Sequence, residues 1–359
     1  MIELFIEIPG RSYMILIGKG ILTQKKIELK NFCPHNKAVV VSDTTVWELY
    51  GGALGQALTE QGVDFTHLAL PPGENNKSMR TLESLFKTFY QTGLTRNDPI
   101  IALGGGVIGD LAGFAASTYM RGVPFIQIPT TLLAQVDASV GGKVAINMEE
   151  GKNLIGSFYQ PKQVIIDPDV LSTLTAREWN AGMAEVIKYA ALGQYELLSI
   201  LENHFSLNEH LEQIIYLCCK CKAEYVEQDE KDYSVRMMLN FGHTFGHALE
   251  KYHAYSRYNH GEAVAIGMAL AARAGALLEI SEEGTEQKLL RLMEKFGLNH
   301  RLEDDWEQII PLTLNDKKNF SGGISLVLLR KMGEPIIKKV LLEDLMRIFR
   351  EEHINYECR

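Results

Sequence analysis

Four of the ten histidines of this 359-residue chain fall within 18 residues, in the segment LNFGHTFGHALEKYHAYSRYNHGEAVAIGM. His243 and His247 are four residues apart in a helical pattern and therefore share one face of a helix. His260 stands at the start of the next helical pattern. Two imidazoles from one helix and one from the next can form three corners of a metal site, although a glutamate can replace any one of them. The spacing alone does not choose between these arrangements.

Glu185 offers such a carboxylate. It lies in AGMAEVIKYA, among small and apolar residues of a predicted helix, where an unpaired carboxylate would be costly to bury. A bound metal would neutralise it, and so would an ion pair with Lys188. In the second case, His243 and His247 would be polar residues packed at a glycine-rich helix contact. We expect His253, in the tyrosine-rich stretch KYHAYSRY, at the surface.

A glycine-rich loop follows a predicted buried strand in DPIIALGGGVIGDLAGFAAS. Gly104, Gly105, Gly106 and Gly109 satisfy the pattern G-x-G-x-x-G between a strand and a helix. In that context the pattern binds a pyrophosphate at the N-terminus of the helix, because the glycines let the backbone approach the anion. A glycine-rich structural turn is the alternative.

The usual dinucleotide fingerprint also has an acidic residue about 20 positions after the loop, which holds the ribose. No Asp or Glu occurs between Asp110 and Asp137 in this sequence. We therefore expect the nucleoside to be held at the ends of earlier strands, which offer Asp43, Glu74 and Lys77. For Asp43, capping of a helix is an equally good interpretation.

Basic residues recur among small residues in YMRGVPFIQIPTTLLAQVDASVGGKVAINMEEGKNLIGSFYQP. Lys143 follows Gly142, and Lys152 follows Gly151. This placement indicates amines presented from loops, where they suit a phosphate group as point charges. Loop solubility is the competing explanation. The same stretch contains Arg121, Asp137 and Asn153.

The elements that must position these residues differ between the two halves of the chain. Short β-branched runs such as KAVVVSD, FTHLALP and QVIIDP alternate with helical patterns up to about Leu174 and predict a parallel sheet. Longer helical patterns follow, except for a predicted hairpin around Gly333 and a last helix near Leu342 to Glu351. We predict an α/β plus all-α fold, with an N-terminal Rossmann-like parallel-sheet domain at residues 1–174 and a C-terminal helical domain at residues 175–359.

The bulk composition excludes several classes of protein. A net charge of −9 argues against a protein whose role is to bind nucleic acid or an acidic membrane, because such partners require a basic face. Five unevenly spaced cysteines do not suit a disulfide framework and favour a reducing compartment. The start of the sequence, MIELFIEIPGRSYMILIG, predicts a strand and hairpin and not an export signal. We expect a cytoplasmic enzyme with no membrane span.

Seven blocks of this sequence occur in the order found in a known family. They are GGGVIGDLAGFAA, RGVPFIQIPTTLLAQVDASVGGKVAIN, GKNLIGSFYQP, AGMAEVIKY, LNFGHTFGHALE, HGEAVAIGM and NDKKN. Through them the chain resembles the 3-dehydroquinate synthases, members of the sugar phosphate cyclase family, over nearly its full length. The resemblance implies a Rossmann-like domain that binds NAD, a helical domain that binds a divalent metal, and an active site between them. It favours zinc, with cobalt as an alternative.

The resemblance also implies roles for individual residues. Metal ligands match Glu185, His243 and His260, while His247 matches a contact to the substrate phosphate. The catalytic set implied comprises Asp137, Lys143, Lys152, Lys188 and His247. Other substrate contacts match Arg121, which would reach in from a neighbouring subunit of a homodimer, and Asn153, Lys222, Arg236, Asn240 and one of Lys317 and Lys318. The positions that match NAD contacts are Asp43, Glu74, Lys77, Gly104, Gly105, Gly106, Asp110, Thr130, Thr131 and Glu178.

The implied reaction converts an anionic sugar phosphate, 3-deoxy-D-arabino-heptulosonate 7-phosphate, to 3-dehydroquinate and phosphate in the shikimate pathway. Its steps are transient oxidation by NAD, phosphate elimination, reduction, ring opening and intramolecular aldol closure. One alternative is another sugar phosphate cyclase, such as a 2-deoxy-scyllo-inosose synthase, whose substrate has no carboxylate for Lys222 and Arg236. A metal-dependent alcohol dehydrogenase is a second alternative, but it has no need of phosphate-binding lysines.

Overall fold

The computed structural model describes residues 1–204, 206–315 and 323–357 and divides the chain into two compact units. Unit 1 comprises Met1–Trp179 and Leu211–Lys231, and unit 2 comprises Asn180–His210 and Asp232–Arg359. The predicted division at 174/175 therefore differs from the structure in one long segment, Leu211–Lys231, which belongs to unit 1.

Unit 1 is built on a seven-stranded sheet of order β1-β2-β9-β6-β5-β3-β4. β1 and β2 form the predicted N-terminal hairpin, and the remaining neighbours are parallel. The predicted parallel sheet is thus confirmed. The strands are β1 (Ile2–Ile6), β2 (Tyr13–Ile17), β3 (Lys37–Asp43), β4 (Asp64–Leu70), β5 (Ile100–Gly104), β6 (Phe125–Pro129) and β9 (Gln163–Ile166).

Helices cover both faces of this sheet, because alternate side chains of a strand point to opposite faces. Val40 packs with Leu54 on one face, whereas Val39 and Val41 pack with Leu85 on the other. The helices of this part are α1 (Thr44–Val46), α2 (Gly52–Glu60), α3 (Met79–Gln91) and α4 (Gly106–Thr118). Short helical turns lie at Lys30–Phe32, Trp47–Gly51, Glu74–Asn76, Ala134–Ala138 and Pro168–Thr173.

A second, two-stranded antiparallel sheet joins β7 (Lys143–Met148) and β8 (Gly151–Phe158), with a register shift between Ile146 and Met148. The glycines before Lys143 and Lys152 predict loops at both lysines. The structure corrects this prediction, because Lys143 begins β7 and Lys152 lies within β8. Glycines and charged residues interrupt the alternation of apolar side chains that identifies a strand, so the hairpin has a weak sequence signal.

Helix α7 (Leu211–Gln228) is the segment that the predicted domain division misplaced. Its Glu227 accepts a hydrogen bond from the backbone of Glu7 at 2.8 Å, and its Cys219 thiol donates to the carbonyl of Gln135 at 3.2 Å. Burial raises the pKa of Cys219 to about 12, so this thiol is inert. Helical periodicity shows which face of a helix is buried but not which element covers it.

Unit 2 is helical, apart from the antiparallel hairpin of β10 (Gly323–Leu329) and β11 (Pro335–Leu341) that the sequence predicted. The helices are α5 (Ala176–Ala191), which begins in unit 1, α6 (Tyr195–Asn203), α8 (His243–Tyr252), α9 (His260–Leu277), α10 (Thr285–Lys295), α11 (Trp306–Ile309) and α12 (Leu342–Glu357). Short helical turns occupy Val235–Asn240 and Ile310–Asn315. Among the described residues, none of the helices has the length and apolar character needed to cross a bilayer.

Candidate metal and cofactor sites

Glycines bring three helices of unit 2 close enough for their polar side chains to meet. A Cβ atom at Gly261 on α9 would lie 2.2 Å from the carbonyl oxygen of Ala181 on α5. A Cβ atom at Gly267 would lie 2.0 Å from the carbonyl oxygen of Gly242, which precedes α8. Only glycine permits these backbone approaches. They position Glu185 on α5, His243 on α8 and His260 on α9 beside one another.

The three side chains form a potential metal site. Glu185 Oε1 lies 3.6 Å from Nε2 of His243 and 3.5 Å from Nε2 of His260. Atoms bound about 2.0–2.2 Å from a tetrahedral zinc ion are about 3.3–3.6 Å apart, so these separations fit two edges of the tetrahedron. Glu185 is 0% exposed, which makes a compensating positive charge necessary.

The hydrogen bonds of the histidines suit metal ligands. Nδ1 of His243 donates to the carbonyl of Phe241 at 3.2 Å, so its Nε2 carries the lone pair that faces Glu185. Burial, with the nearby charge of Lys188, lowers the pKa of His243 well below its ordinary value. For His260, burial opposes the charged form, but contacts with Glu185 and Glu250 prevail and raise its pKa to about 10. In the absence of a metal, the proton on His260 supplies positive charge between two carboxylates.

Lys188 pairs with one oxygen of Glu185 and leaves the other oxygen of that carboxylate to the histidines. Its Nζ lies 2.6 Å from Oε2 of Glu185, and the side chain is 2% exposed. The two interpretations considered for Glu185 are therefore compatible, because the ion pair and the histidines use different oxygens. Lys188 holds the carboxylate in the orientation that the site requires.

Sequence reasoning missed Glu250. It is buried on α8, with Oε2 3.8 Å from Nδ1 of His260, and it can form a second potential metal group with His247 and His260. The signal in the sequence is its position three residues after His247, on the same helix face. His247 itself is exposed.

His253 is half-buried and not a surface residue as predicted. Its Nε2 lies 3.0 Å from Oδ1 of Asp304, and the same carboxylate contacts Arg257 at 3.0 Å and Tyr258 at 3.2 Å. Burial and the charge of Asp304 raise the pKa of Tyr258 to about 12. Asp304 thus ties down the segment that leads from α8 to His260.

The glycine-rich loop of unit 1 lies where the strand order reverses. The chain runs from β3 to its neighbour β4 and then crosses to β5 on the other side of β3. Ser42 of β3 is paired with Leu103 of β5, so Asp43 and Gly104 adjoin at the carboxyl ends of these strands. Ligands of open α/β sheets bind at such a switch point. The sequence does not reveal this strand order.

The glycine-rich loop ends at the start of α4. Gly105 precedes the helix, and no side chain caps the helix there. A Cβ atom at Gly105 would lie 3.1 Å from Thr131, whereas one at Gly106 would meet Ala138 only at 3.4 Å. Thr130 donates its backbone N–H to Gly104 at 3.0 Å. Asp43 caps α1 by accepting the backbone N–H of Val46 on Oδ1 at 2.9 Å, and this role is compatible with a ligand contact through its other carboxylate oxygen.

Other predicted residues of unit 1 form a polar cluster around the buried side chain of Lys77. Nζ of Lys77 lies 2.7 Å from Asp110, donates a short hydrogen bond to Asn153 and lies 3.8 Å from Glu74. Lys77 is 5% exposed. By the family resemblance, Lys77 matches an NAD contact and Asn153 matches a contact to the substrate phosphate. These two residues are therefore in direct contact within unit 1.

The remaining predicted site residues lie in both units. In unit 1, Lys222 Nζ contacts Oδ1 of Asp137 at 2.9 Å and its carbonyl oxygen at 2.8 Å. In unit 2, Arg236 is buried, and Asn240 donates to the carbonyl of Met237 at 3.0 Å. Arg121 is exposed with a φ of 66°, and Glu178 is exposed in the first turn of α5. Lys317 and Lys318 lie outside the described residues.

Two family models match the chain. The model described as 3-dehydroquinate synthase N-terminal matches residues 67–181, and that described as 3-dehydroquinate synthase C-terminal matches residues 182–319. The 3-dehydroquinate synthase of Clostridium beijerinckii is 43% identical over 96% of this chain and 99% of its own. The 3-dehydroquinate synthase of Neisseria meningitidis serogroup C is 45% identical over 97% of this chain and 98% of its own.

Solved structures agree with the fold. The 2-epi-5-epi-valiolone synthase of Streptomyces hygroscopicus subsp. jinggangensis, with NAD+ and Zn2+ bound, has a TM-score of 0.86 and 27% identity, with 98% of each chain covered. A 2-deoxy-scyllo-inosose synthase complexed with carbaglucose-6-phosphate, NAD+ and Co2+ has a TM-score of 0.84 at 24% identity, covering 98% of this chain and 99% of its own. An iron-containing alcohol dehydrogenase has a TM-score of 0.67 at 15% identity, covering 94% of this chain and 96% of its own.

Proposed function

The chain belongs to the 3-dehydroquinate synthase family, and we propose that it converts 3-deoxy-D-arabino-heptulosonate 7-phosphate to 3-dehydroquinate and inorganic phosphate. This is a phosphate-eliminating carbon-oxygen lyase reaction of the shikimate pathway. The observation that carries the proposal is the convergence of Glu185, His243 and His260 in a chain of this family.

We propose that these three residues hold one divalent ion, zinc or alternatively cobalt. One carboxylate and two neutral imidazoles leave a fourth position open, as in catalytic zinc sites. The solved relatives contain Zn2+ or Co2+. The ion would act as a Lewis acid on a substrate hydroxyl and favour its ionised form. Lys188 orients Glu185, and Phe241 orients His243 through its carbonyl.

We propose unit 1 as the NAD-binding unit and unit 2 as the metal-binding unit. NAD would accept a hydride and return it within one turnover. The N–H groups at the start of α4 suit its pyrophosphate, because an uncapped helix N-terminus attracts anions. The residues proposed to bind it are Asp43, Glu74, Lys77, Gly104, Gly105, Gly106, Asp110, Thr130, Thr131 and Glu178.

The remaining polar residues would bind and orient an anionic substrate. Preorganised cations stabilise a departing phosphate dianion without reorganisation at the moment of reaction. We assign the phosphate to Lys143, Asn153, Asn240, His247 and one of Lys317 and Lys318. The carboxylate is assigned to Lys222 and Arg236, and the hydroxyls to Asp137 with Lys152 and Lys188 nearby. We also propose a cytoplasmic homodimer in which Arg121 acts in the neighbouring subunit.

The two alternative enzymes receive less support. Similarity to the solved 2-deoxy-scyllo-inosose synthases, at 24% and 25% identity, is weaker than the 41–45% identity to 3-dehydroquinate synthases. The substrate of a 2-deoxy-scyllo-inosose synthase also has no carboxylate that Lys222 and Arg236 could bind. The iron-containing alcohol dehydrogenase shares the fold at 15% identity.

A phosphate-release assay tests the proposal. Purified protein with zinc and substoichiometric NAD is mixed with the heptulosonate, and phosphate release is followed together with absorbance at 340 nm. We expect many phosphates per NAD and no lasting rise in NADH. Stoichiometric NADH accumulation would indicate a dehydrogenase, and phosphate release only from a carboxylate-free hexose phosphate would indicate another cyclase.

A further inference from the structure

Asn147, near the end of β7, connects three parts of unit 1. Its side-chain Nδ2 donates to Oε1 of Glu74 at 2.8 Å, and its Oδ1 accepts the backbone N–H of Asn153 at 2.9 Å. Its own backbone N–H donates to the carbonyl of Lys77 at 2.7 Å. One residue therefore uses its amide donor, its amide acceptor and its backbone donor on three different partners.

The contact with Asn153 fixes an unusual backbone conformation. Asn153 has a φ of 55°, in the left-handed region, which asparagine enters more readily than most other non-glycine residues. The register shift between Ile146 and Met148 places Asn147 where its side chain reaches back across the turn to this residue. Asn147 thus holds the conformation that directs the Asn153 side chain toward Lys77.

Lys77 is the point where these connections meet. The Nζ of Lys77 donates to Asn153 and lies 2.7 Å from Asp110 in the second turn of α4. The backbone carbonyl of Lys77 accepts the N–H of Asn147. Movement of the β7–β8 hairpin must therefore change the surroundings of the Lys77 amine. Movement of Lys77 must likewise shift the hairpin.

We propose that Asn147 is a positioning residue that couples NAD binding to recognition of the substrate phosphate. The inference rests on the proposed function, in which Glu74 and Lys77 contact NAD and Asn153 contacts the phosphate. Asn147 touches neither ligand in this account. It sets the relative positions of the residues that do, so that occupation of one subsite favours the other.

The side-chain chemistry at position 147 is restrictive. Aspartate would keep the acceptor for Asn153 but would place a second carboxylate against Glu74. Alanine would lose both side-chain bonds. In contrast, a carboxylate at 147 combined with an amide at 74 would reverse the donor and the acceptor and rebuild the same bond.

The experiment compares Asn147→Ala, Asn147→Asp and the double variant Asn147→Asp with Glu74→Gln, with Asn31→Ala as a control at an exposed asparagine of unit 1. Hydrogen–deuterium exchange of peptides spanning Met148 to Ser157 reports the Asn153 amide in the unliganded protein. Calorimetric titration with NAD reports affinity. Steady-state assays with the heptulosonate separate KM from kcat, and thermal unfolding checks that each variant folds.

For Asn147→Ala we expect exchange at Asn153 to be at least about tenfold faster, and the Kd for NAD and the KM each to rise about three- to tenfold, as loss of a hydrogen bond allows. We expect kcat to change less than KM. The double variant should regain exchange protection to within about twofold of the wild type, whereas Asn147→Asp alone should not. Neither NAD affinity nor KM is compared in the double variant, because Glu74 is a proposed NAD contact.

Unchanged exchange at Asn153 in Asn147→Ala would overturn the positioning role. Faster exchange with unchanged NAD affinity and KM would overturn the coupling. Failure of the proposed function is distinguishable, because the wild-type protein would then bind no NAD and release no phosphate. The exchange data would in that case still decide whether Asn147 fixes Asn153, and the coupling to these ligands would be refuted.

Discussion

Metal binding at Glu185, His243 and His260 should release one proton from His260. The pKa of His260 is raised to about 10, because its contacts with Glu185 and Glu250 outweigh the effect of burial, whereas burial lowers that of His243. At neutral pH His260 is therefore protonated and His243 is neutral. An imidazole must lose its proton before it binds a metal. Below about pH 10, the ion consequently competes with one proton.

The release of one proton determines how strongly the metal affinity depends on pH. One displaced proton strengthens the apparent metal affinity about tenfold, or about 1.4 kcal/mol, for each unit rise in pH. Between about pH 6.5 and pH 8.5 we expect an increase of about a hundredfold. The direction is fixed by the raised pKa, because the protonated form that opposes binding disappears only as the pH approaches 10.

Glu250→Gln provides the structural perturbation. It removes one of the two carboxylates that stabilise the proton on His260, whose Nδ1 lies 3.8 Å from Glu250. We expect fewer than one proton released per ion at pH 8 and a shallower dependence of affinity on pH. Glu283→Gln, at an exposed glutamate of unit 2, is the matched control and should behave as the wild type.

Calorimetric titration of metal-free protein with zinc measures both quantities. Titrations in buffers of different ionisation enthalpy give the number of protons released, and a competing chelator gives the affinity at each pH. A release near zero, or an affinity that does not change with pH, would refute the assignment of the proton to His260. Equal behaviour of Glu250→Gln and the wild type would refute the role given to Glu250.

Three further variants test other parts of the account. Glu185→Gln should retain the fold, as measured by circular dichroism, but bind less than about a tenth of the wild-type zinc; full metal content would contradict its role as a ligand. Arg236→Ala should weaken binding of the substrate about tenfold or more but leave NAD affinity within about twofold in calorimetry, and equal losses would argue against a carboxylate site. Asp304→Asn should speed proteolytic cleavage between His253 and Asn259 several-fold, because it weakens contacts with His253, Arg257 and Tyr258; an unchanged cleavage rate would show that Asp304 does not restrain this segment.

The parallel sheet was predictable because its signals are local. For the proposed metal ligands, the residue pattern left alternatives open, and the family resemblance supplied the set Glu185, His243 and His260. Strands β3 and β5 are continuous apolar runs bounded by polar or glycine residues. The spacing of His243 and His247 fixed their helix face, and a carboxylate in an apolar helix indicated Glu185. The structure adds the glycine contacts that bring these helices together, which no periodicity reveals.

Other features depend on partners far away in the chain. Helix α7 has ordinary helical periodicity, and its packing on β1, on β2 and on the turn at Ala134–Ala138 assigns it to unit 1. The β7–β8 hairpin contains charged residues that obscured its strands. Asn147 has no motif of its own, and its importance lies in bonds to residues 6 and 73 positions away. Such contacts require coordinates.

Anomalous diffraction from crystals of the zinc-loaded protein can show whether Glu185, His243 and His260 bind the ion. Data collected on both sides of the zinc absorption edge locate each ion independently of any assumed ligand. We expect one ion per chain, bound by Oε1 of Glu185 and by Nε2 of both His243 and His260. An ion bound elsewhere, or a zinc-free cluster in a fully active crystal, would contradict this assignment.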